Sequence, residues 1–456
     1  MTALRPLDAA FLRLETGHTS LHIASVAVFD GPMPERSEIL RHVTARVAKL
    51  PRFGQRLREP WMHLGGPRWV NDPSSDVSDH LQWTALPHPG GLRQLHDLVG
   101  RLMAQPLDRS RPLWETWFVE GLEDGRWAMI SKVHHSIVDG IGGADLLGAI
   151  LDATPDSGSE PAVAPRVGRQ HESLDVRATR LPAQVVAAAR VASRTVRDPM
   201  RVLGAVGTTA RGVLRFGELG VPAPSSLLTG TIGNRRSWSS SAFELDDVRT
   251  IKRELGGTVN DVVLAAVTKA FRDLLVIGGE VPDPAKVRAL IPVSIRTAGQ
   301  RGTAGNEVTA MVAELPVDVC SPQFRLEAVR AEIGRLKSSG EPEAGVLIER
   351  LAGLLPQGAV NAALSVLVRV PQRSVVTVVT NVPGPTGPLY LLGHRLRELY
   401  PYVPIADRLR LGVAIASYDG TLYFGVTADR DHIQDVDMVT RSIEDELREL
   451  LKIAAG

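Results

Sequence analysis

The order of apolar and polar residues along the chain predicts a mixture of strands and helices. Two runs rich in β-branched and aromatic residues, 114–120 and 127–133, are typical of buried strands, and the Glu-Asp-Gly sequence between them predicts a hairpin. Apolar residues that recur every three or four positions from 92 to 103 predict an amphipathic helix. These patterns favour an α/β protein built from mixed sheets of the α+β kind.

The second half of the chain shows the same mixture after a change in composition. Residues 155–165 are rich in Pro, Ser, Gly and Ala, which favours a linker, and residues 181–212 have the composition of a helix. Strands are predicted at 237–243, 287–293, 308–315, 375–380, 411–417 and 421–427, and helices begin near 246 and at 262. We therefore divide the chain into an N-terminal unit (1–165), a crossover segment (166–235) and a C-terminal unit (236–456).

A cluster of polar residues stands where a predicted strand ends. His134 and His135 close the apolar run, and Asp139 and Gly140 follow in the turn before a helical pattern at 141–153. A near-neutral imidazole can take a proton from a hydroxyl, and a carboxylate can orient that imidazole or brace the turn. Ordinary turn residues also fit the spacing, as does half of a metal site, although no H-E-x-x-H sequence or cysteine pair accompanies it.

Composition narrows the class of protein. The chain has 456 residues, 44% of them hydrophobic and 23% charged, which is typical of a soluble globular protein with two cores. A net charge of +1 provides no general attraction to nucleic acid. A single cysteine, Cys320, excludes an internal disulfide or a cysteine-based metal cluster and is predicted to be a core residue at a strand end. We find neither a secretory signal nor an apolar run of ~20 residues, so membrane contact is expected to be peripheral.

The crossover segment is locally basic. Its arginines are Arg177, Arg180, Arg190, Arg194, Arg197, Arg201, Arg211 and Arg215. They suit attraction to anionic lipid head groups or to phosphate, and they equally suit the solvated face of a helix.

Taken together, these motifs resemble the bacterial wax ester synthase/acyl-CoA:diacylglycerol acyltransferase family of the chloramphenicol-acetyltransferase-like superfamily. The family's HHxxxDG pattern matches residues 134–140. Other family blocks resemble residues 6–12, 112–114, 258–265, 381–385 and 422–425, so the likeness runs along nearly the whole chain. HHxxxDG alone is shared with condensation domains and plant alcohol acyltransferases, but the ordered combination is more specific. The Asp-Phe-Gly-Trp-Gly block typical of the plant enzymes is absent.

The resemblance implies two chloramphenicol-acetyltransferase-like domains with the active site at their interface. Acyl-CoA would enter a tunnel from one face, and diacylglycerol or a long-chain alcohol from the other. Triacylglycerol or wax ester would form without an acyl-enzyme. Acyl-CoA is a substrate, and the resemblance implies no cofactor, metal or nucleic-acid partner. The protein would be cytoplasmic and peripherally bound to the inner membrane or to lipid droplets.

The resemblance also suggests roles for individual residues. His135 would be the general base, while His134 shapes the site and Asp139 braces the turn through Arg296. The remaining site residues are Gly140, then Asn260, Asp261 and Asn381 as polar support, and Pro112, Leu113 and Trp114 as packing. Asn260 could instead cap a helix and Asn381 could pin a turn.

Two other functions fit the sequence. One is an acyltransferase or condensation-type enzyme that acts on a polar or carrier-bound acceptor. The other is a non-catalytic lipid-binding relative, against which the intact His135 and Asp139 count.

Overall fold

The computed structural model of the protein describes residues 2–4, 11–12, 14–15, 17–58, 67–137, 144–155, 223–294, 308–338, 375–406 and 408–456. In these ranges the helices are α1 (Arg36–Val47), α2 (Leu92–Ala104), α3 (Ala144–Ile150), α4 (Leu245–Leu255), α5 (Val259–Ile277), α6 (Pro322–Ser338) and α7 (Asp437–Ala455). The strands are β1 (Thr2–Ala3), β2 (His22–Phe29), β3 (Gln55–Arg58), β4 (Arg68–Asn71), β5 (Leu81–Ala85), β6 (Trp114–Glu120), β7 (Trp127–His134), β8 (Arg236–Glu244), β9 (Arg288–Ser294), β10 (Val308–Glu314), β11 (Thr377–Val382), β12 (Tyr390–Leu391), β13 (His394–Tyr402), β14 (Leu411–Tyr418) and β15 (Thr421–Asp429).

The N-terminal sheet has six strands in the order β12-β13-β2-β7-β6-β5. Its neighbouring strands are antiparallel except β5 and β6, which are parallel. β6 and β7 pair directly across the turn at 123–125, so the predicted hairpin is confirmed. β7 lies inside this sheet and is buried along its whole length, which gives the residues at its end a rigid base.

The C-terminal sheet has six strands in the order β10-β9-β11-β14-β15-β8, and β1, β4 and β3 form a small third sheet. β11 runs parallel to β9 and β14, while the other neighbours in the C-terminal sheet are antiparallel. Both six-stranded sheets are therefore mixed, and each has its own hydrophobic core. This arrangement confirms the predicted fold class.

One strand pair crosses between the two units. β12 and β13 belong by sequence to the stretch 236–456, yet they lie in the N-terminal sheet, where β13 pairs with β2. Leu396, Tyr400 and Tyr402 of β13 are buried in the N-terminal core. The sequence-based division assigned β12 and β13 to the C-terminal unit, 236–456. Pairing between strands so distant in the chain leaves no local pattern from which it could be predicted.

Two glycines allow the units to approach closely. A Cβ added to Gly425 of β15 would lie 1.8 Å from the carbonyl oxygen of Pro401 in β13. A Cβ on Gly100 of α2 would lie 2.6 Å from the carbonyl oxygen of Arg236 at the start of β8. Any larger residue would push these backbones apart, so glycine is what permits the contact at both places.

Two local expectations were wrong. α5 begins at Val259 rather than 262, because Thr258 caps it: the Asp261 backbone NH donates to Thr258 Oγ1 at 3.2 Å, and Thr258 N donates to Asp261 Oδ2 at 2.8 Å. Cys320 is exposed rather than buried, since it lies in the loop before α6, where Arg272 Nη2 approaches its Sγ at 3.0 Å. Among the described helices, none has the length and apolar character to cross a bilayer.

Candidate active site

The two histidines lie where β7 ends, and their backbones are held from both sides. His134 pairs with His22 of β2, and its NH donates to the Leu113 carbonyl at 2.9 Å. The NH of His135 donates to the carbonyl of Leu21 at 3.0 Å. The position of His135 therefore depends on the segment that leads into β2.

His134 is a buried structural residue. The NH of Ser136 donates to its Nδ1 at 3.0 Å, and the Ser136 hydroxyl lies 2.6 Å from the same nitrogen. Because Nδ1 accepts these contacts, the ring proton is on Nε2. Nε2 lies 3.2 Å from Oε1 of Glu15. Nδ1 of His134 is thus occupied by Ser136, while Nε2 faces the Glu15 carboxylate without a well-aligned hydrogen bond.

Glu15 is a site residue that the sequence pattern does not reveal. Its Oε1 accepts from the NH of Leu21 at 2.7 Å, and its Oε2 accepts from Arg109 Nη2 at 2.7 Å. Burial alone would raise the pKa of Glu15, but the contacts with His134, Arg109 and Leu21 outweigh it and lower the pKa to about 2. Glu15 therefore ties His134 to the same residue that holds the backbone of His135. Its partners are distant in sequence, so no local motif marks it.

The ring of His135 is half-buried and packs against Phe11, with centroids 4.3 Å apart and planes tilted by 38°. Burial lowers its pKa, the neighbouring His134 acts in the same direction, and its own backbone partly opposes them. Its Nδ1 is buried and has no well-aligned hydrogen-bond partner among the described residues. Burial therefore favours the neutral form of the His135 ring, and it closes Nδ1 to a substrate.

A buried ammonium lies beneath the pair of histidines. Lys132 Nζ donates to the carbonyls of Leu102 at 2.9 Å and Gln105 at 2.7 Å, and to Glu115 Oε1 at 2.8 Å. Burial lowers the pKa of Lys132, against the opposing charge of Glu115. Burial lowers the pKa of His22 to about 3, and the charge of Lys132 contributes to this shift as a smaller effect. The strand ends under the site therefore favour neutral imidazoles.

The Pro-Leu-Trp block packs beside the histidines. Leu113 supplies the carbonyl that accepts the His134 NH, and it is buried. Trp114 is also buried, donates from Nε1 to the Phe53 carbonyl at 2.9 Å, and stacks on His80 with centroids 4.5 Å apart. Pro112 precedes them at the edge of the same region.

A second group of candidate residues lies in the C-terminal unit. Asn381 Nδ2 donates to Asn260 Oδ1 at 3.3 Å, so the fold brings the two asparagines together although they are far apart in sequence. Asp261 serves the cap of α5 described above. Within the described part of the chain, no hydrogen bond or ring contact joins the asparagine pair to His135.

The other candidates lie outside the described residues. These are Asp139, Gly140 and Arg296, together with the arginines of the crossover segment. A search of the described ranges finds no group of three His, Cys, Asp or Glu side chains that could hold a metal ion.

Comparison with known families gives two matches, separated by residues 264–303. Residues 4–263 match the wax ester synthase/diacylglycerol acyltransferase catalytic domain, and residues 304–451 match the C-terminal domain of the same family. Together these matches cover most of the chain, in the order that the family requires.

Individual proteins agree with the family matches. A Mycobacterium tuberculosis protein described as a probable diacylglycerol O-acyltransferase is 39% identical over all of this chain and 96% of its own length. A second such protein from the same species is 30% identical over 99% of each chain.

The solved structures extend the likeness to the fold. The wax ester synthase/diacylglycerol acyltransferase of Marinobacter aquaeolei superposes with a TM-score of 0.68 at 27% identity and covers 100% of both chains. The starter condensation domain of rhizomide synthetase gives a TM-score of 0.59 at 13% identity, over 100% of this chain and 94% of that one. The second likeness is one of fold alone.

Proposed function

The chain belongs to the wax ester synthase/diacylglycerol acyltransferase family and is an acyltransferase, and we propose that it transfers a long-chain acyl group from acyl-CoA to diacylglycerol. Triacylglycerol is the favoured product because the mycobacterial relatives are named as diacylglycerol O-acyltransferases. A fatty alcohol is the second acceptor, in keeping with the wax ester activity in the family description.

The observation that carries this proposal is the state of His135. A general base must be unprotonated at the working pH and must present a free nitrogen to the acceptor. Burial lowers the pKa of His135, which supports the unprotonated form, and we assign the free nitrogen to Nε2 because Nδ1 is buried. The roles of its neighbours follow from their contacts: His134 and Glu15 position the base but do not react.

The reacting groups are then His135 and the two substrates. His135 Nε2 removes the proton of the acceptor hydroxyl as that oxygen attacks the thioester carbonyl. The tetrahedral intermediate collapses, the carbon–sulfur bond breaks, and the protonated His135 returns its proton to the leaving CoA thiolate. The ester forms, free CoA is released, and His135 is again neutral.

The developing oxyanion requires hydrogen-bond donors. We assign this supporting role to the asparagine pair, because Asn381 donates to Asn260 Oδ1 and so leaves the Nδ2 of Asn260 free to donate. The brace between Asp139 and Arg296 belongs to the same proposal, as does Gly140 for close approach of the substrate.

The acceptors and products are poorly soluble in water, so the enzyme must work at a lipid surface. We assign it a peripheral position on the inner membrane or on lipid droplets. The arginines from Arg177 to Arg215 would add attraction to anionic lipids.

The test is a competition assay with the purified protein, one long-chain acyl-CoA, a diacylglycerol and a fatty alcohol. We expect triacylglycerol as the main product, with release of one CoA thiol per ester. His135→Ala should lower the rate by ~10²–10⁴-fold without loss of folding, since that is the usual contribution of a general base. His134→Ala should have a smaller effect. Near wild-type thiol release by the His135 variant would refute the mechanism, and release without an ester product would refute the function.

A further inference from the structure

Four exposed apolar side chains gather at one end of the C-terminal unit. Val276, Ile277, Val281 and Phe324 expose 52%, 71%, 76% and 64% of their surface. We call these four residues the apolar tip. In the described part of the chain only two other large hydrophobic side chains are exposed, Leu92 and Val382, and these lie in separate elements. Single exposed apolar residues are common on soluble proteins, whereas a cluster of them marks an interaction site.

The antiparallel packing of two helices brings the tip together. Arg272, near the end of α5, donates to the Val317 carbonyl at 2.7 Å, just before α6 begins. Arg330, further along α6, donates to the Leu255 carbonyl at 3.1 Å, just before α5 begins. The C-terminal part of α5 therefore lies beside the loop that leads into α6. Phe324 is in the first turn of α6, and Val276 and Ile277 are in the last turn of α5.

The side chains of the tip point away from the core. Leu274 and Leu275 on the same turn of α5 are buried, so the inner face of the helix is already filled. The chain then reverses through Gly278 and Gly279, the latter with a φ of +74°, and this turn carries Val281 outward. The tip is thus a convex apolar end and adds nothing to the packing of the core.

The charged residues around the tip include more anions than cations. Lys286 pairs with Glu280 at 3.1 Å, and Lys269 pairs with Asp273. Arg272 lies beside the exposed Asp318, and Asp283 and Glu327 complete the surroundings. The rim has no excess of positive charge, so it offers no attraction for an anionic surface. Its apolar centre with this rim is complementary to an uncharged or zwitterionic lipid surface.

The course of the chain also favours a lipid. Residues 223–235 of the crossover segment are described, and within them Leu227 donates its NH to Glu280 Oε1 at 2.5 Å. This part of the crossover segment therefore passes beside the tip. Tyr, Trp and Arg, which dominate the centres of protein–protein interfaces, do not occur among the four tip residues. Apolar side chains on an exposed end suit a fluid surface, into which they can insert without a matching groove.

We propose that the apolar tip inserts into a surface of uncharged or zwitterionic lipid and holds the enzyme where its acceptor is dissolved. This inference rests on the proposed function for the identity of the acceptor, but the tip itself is independent of the catalytic residues. The tip contributes the part of lipid binding that salt does not weaken, because apolar burial, unlike charge attraction, is not screened.

The test is flotation of the protein with vesicles of phosphatidylcholine that contain diacylglycerol, at a salt concentration of ~0.5 M, where charge attraction is screened. The double variant Ile277→Gln/Val281→Gln changes the two most exposed residues of the tip, so its folding should be unaffected. We expect its binding to be weaker by about tenfold or more, from the loss of two aliphatic contacts. Leu92→Gln is the matched control, because Leu92 is also exposed but lies in α2, and it should bind like wild type.

Other occupants of the tip give different results. Unchanged flotation of the double variant overturns the proposal. If sedimentation shows that the wild type is a dimer and the variant a monomer while flotation is unchanged, the tip joins two copies. If the variant instead changes the proteolysis of the crossover segment while flotation is unchanged, that segment covers the tip. Both results contradict a lipid occupant.

A soluble assay separates this inference from the proposed function. Thiol release from a short-chain acyl-CoA and a short alcohol, without vesicles, should be the same for wild type and the double variant. A wild type that releases no thiol with any acceptor would contradict the proposed function, while flotation would still decide the role of the tip. A variant that loses soluble turnover as well as flotation would show that the tip acts through the catalytic unit, and this would overturn the proposal.

Discussion

Burial gives two adjacent histidines different chemistry. His134 is buried, its Nδ1 accepts from the Ser136 NH, and its Nε2 lies 3.2 Å from Glu15 Oε1. His135, one residue further, is only half-buried, and burial lowers its pKa. These contacts are the basis of our proposal that His134 holds the geometry and His135 supplies the base.

The lowered pKa of His135 predicts the pH dependence of the reaction. The neutral ring is the active form, so kcat/KM should be constant above the ordinary histidine value of 6.5 and fall only as pH drops below it. Initial rates of thiol release between pH 5 and pH 8, with a check that the protein stays folded, measure this. An acid limb centred at or above the ordinary value would contradict a burial-lowered base.

Glu15 predicts an acid-dependent contribution to stability. Its pKa is lowered from 4.5 to about 2, so the contribution of its carboxylate is fully present above the first value and is lost as pH falls towards the second. Glu15→Gln should lower the free energy of unfolding by ~1–3 kcal/mol at neutral pH, because it removes charged partners from buried donors. The difference from wild type should shrink between pH 4.5 and pH 2.

The matched control for Glu15 is Glu38→Gln, at an exposed position in the first turn of α1. Denaturant unfolding at several pH values measures both variants. If Glu15→Gln and Glu38→Gln behave alike, Glu15 does not brace the site. A lower kcat for the Glu15 variant at unchanged KM would show in addition that Glu15 positions the base.

At the scale of elements, the candidate site residues lie at the ends of strands and helices. β7 ends at His134, and His135 follows it in the chain. The cap at Thr258 places Asn260 in the first turn of α5, where Asn381 of β11 donates to it. Rigid elements hold these ends in place more accurately than a free loop could.

The asparagine pair predicts a coupled effect on rate. Asn260→Ala should lower kcat by up to ~10²–10³-fold if its amide supports the oxyanion. Asn381→Ala should lower kcat less, and the double variant should be sub-additive because the two side chains are hydrogen-bonded. Thiol release at saturating substrate measures this.

Thr258→Ala is the control for the asparagine pair. It removes the cap of the same helix and should cost ~0.5–2 kcal/mol of stability with little change in kcat. If the asparagine variants lose stability only, as the cap variant does, the pair is structural.

At the scale of the whole molecule, β13 and two glycines join the units into one framework. β13 completes the N-terminal sheet, and Gly425 lets it cross close to the C-terminal sheet. His96 of α2 adds a contact to Ser240 of β8 at 2.9 Å, and it lies 3.6 Å from Asp437 of α7. A site that draws on both units therefore has a fixed geometry.

Binding to anionic lipid is a property of the whole molecule, and the crossover segment predicts its salt dependence. Vesicles with anionic lipid should bind the wild type more tightly at low salt, because each arginine near such a surface contributes ~1 kcal/mol. Arg190, Arg194, Arg197 and Arg201, all replaced by Gln, should weaken this binding at low salt and leave the salt-resistant part unchanged. Flotation over a salt series measures both parts. Vesicle binding that changes with neither salt concentration nor these substitutions would mean that the arginines only face solvent.

The hydrophobic pattern predicted most of the elements that frame the site. The hairpin of β6 and β7, the strands β14 and β15, and the amphipathic helix α2 were predicted from short-range periodicity, and the structure confirms them. This succeeds because an element that buries one face must repeat its apolar residues at the period of its own geometry. The HHxxxDG motif could also be recognised from the sequence, because its residues are neighbours in the chain.

Only the tertiary structure decided which distant residues meet. Glu15 reaches His134, Asn381 reaches Asn260, and β13 enters the N-terminal sheet, and none of these contacts has a local signature. The exposure of Cys320 likewise depends on neighbours that the pattern does not specify. The cap at Thr258 differs, because Thr258 and Asp261 form a local capping box that the sequence contains. The sequence by itself determined the fold class, the family and the position of the two histidines at a strand end. The fold decided that His134 lies against Glu15 and that burial lowers the pKa of His135, because burial and contact are set by residues far away in the chain.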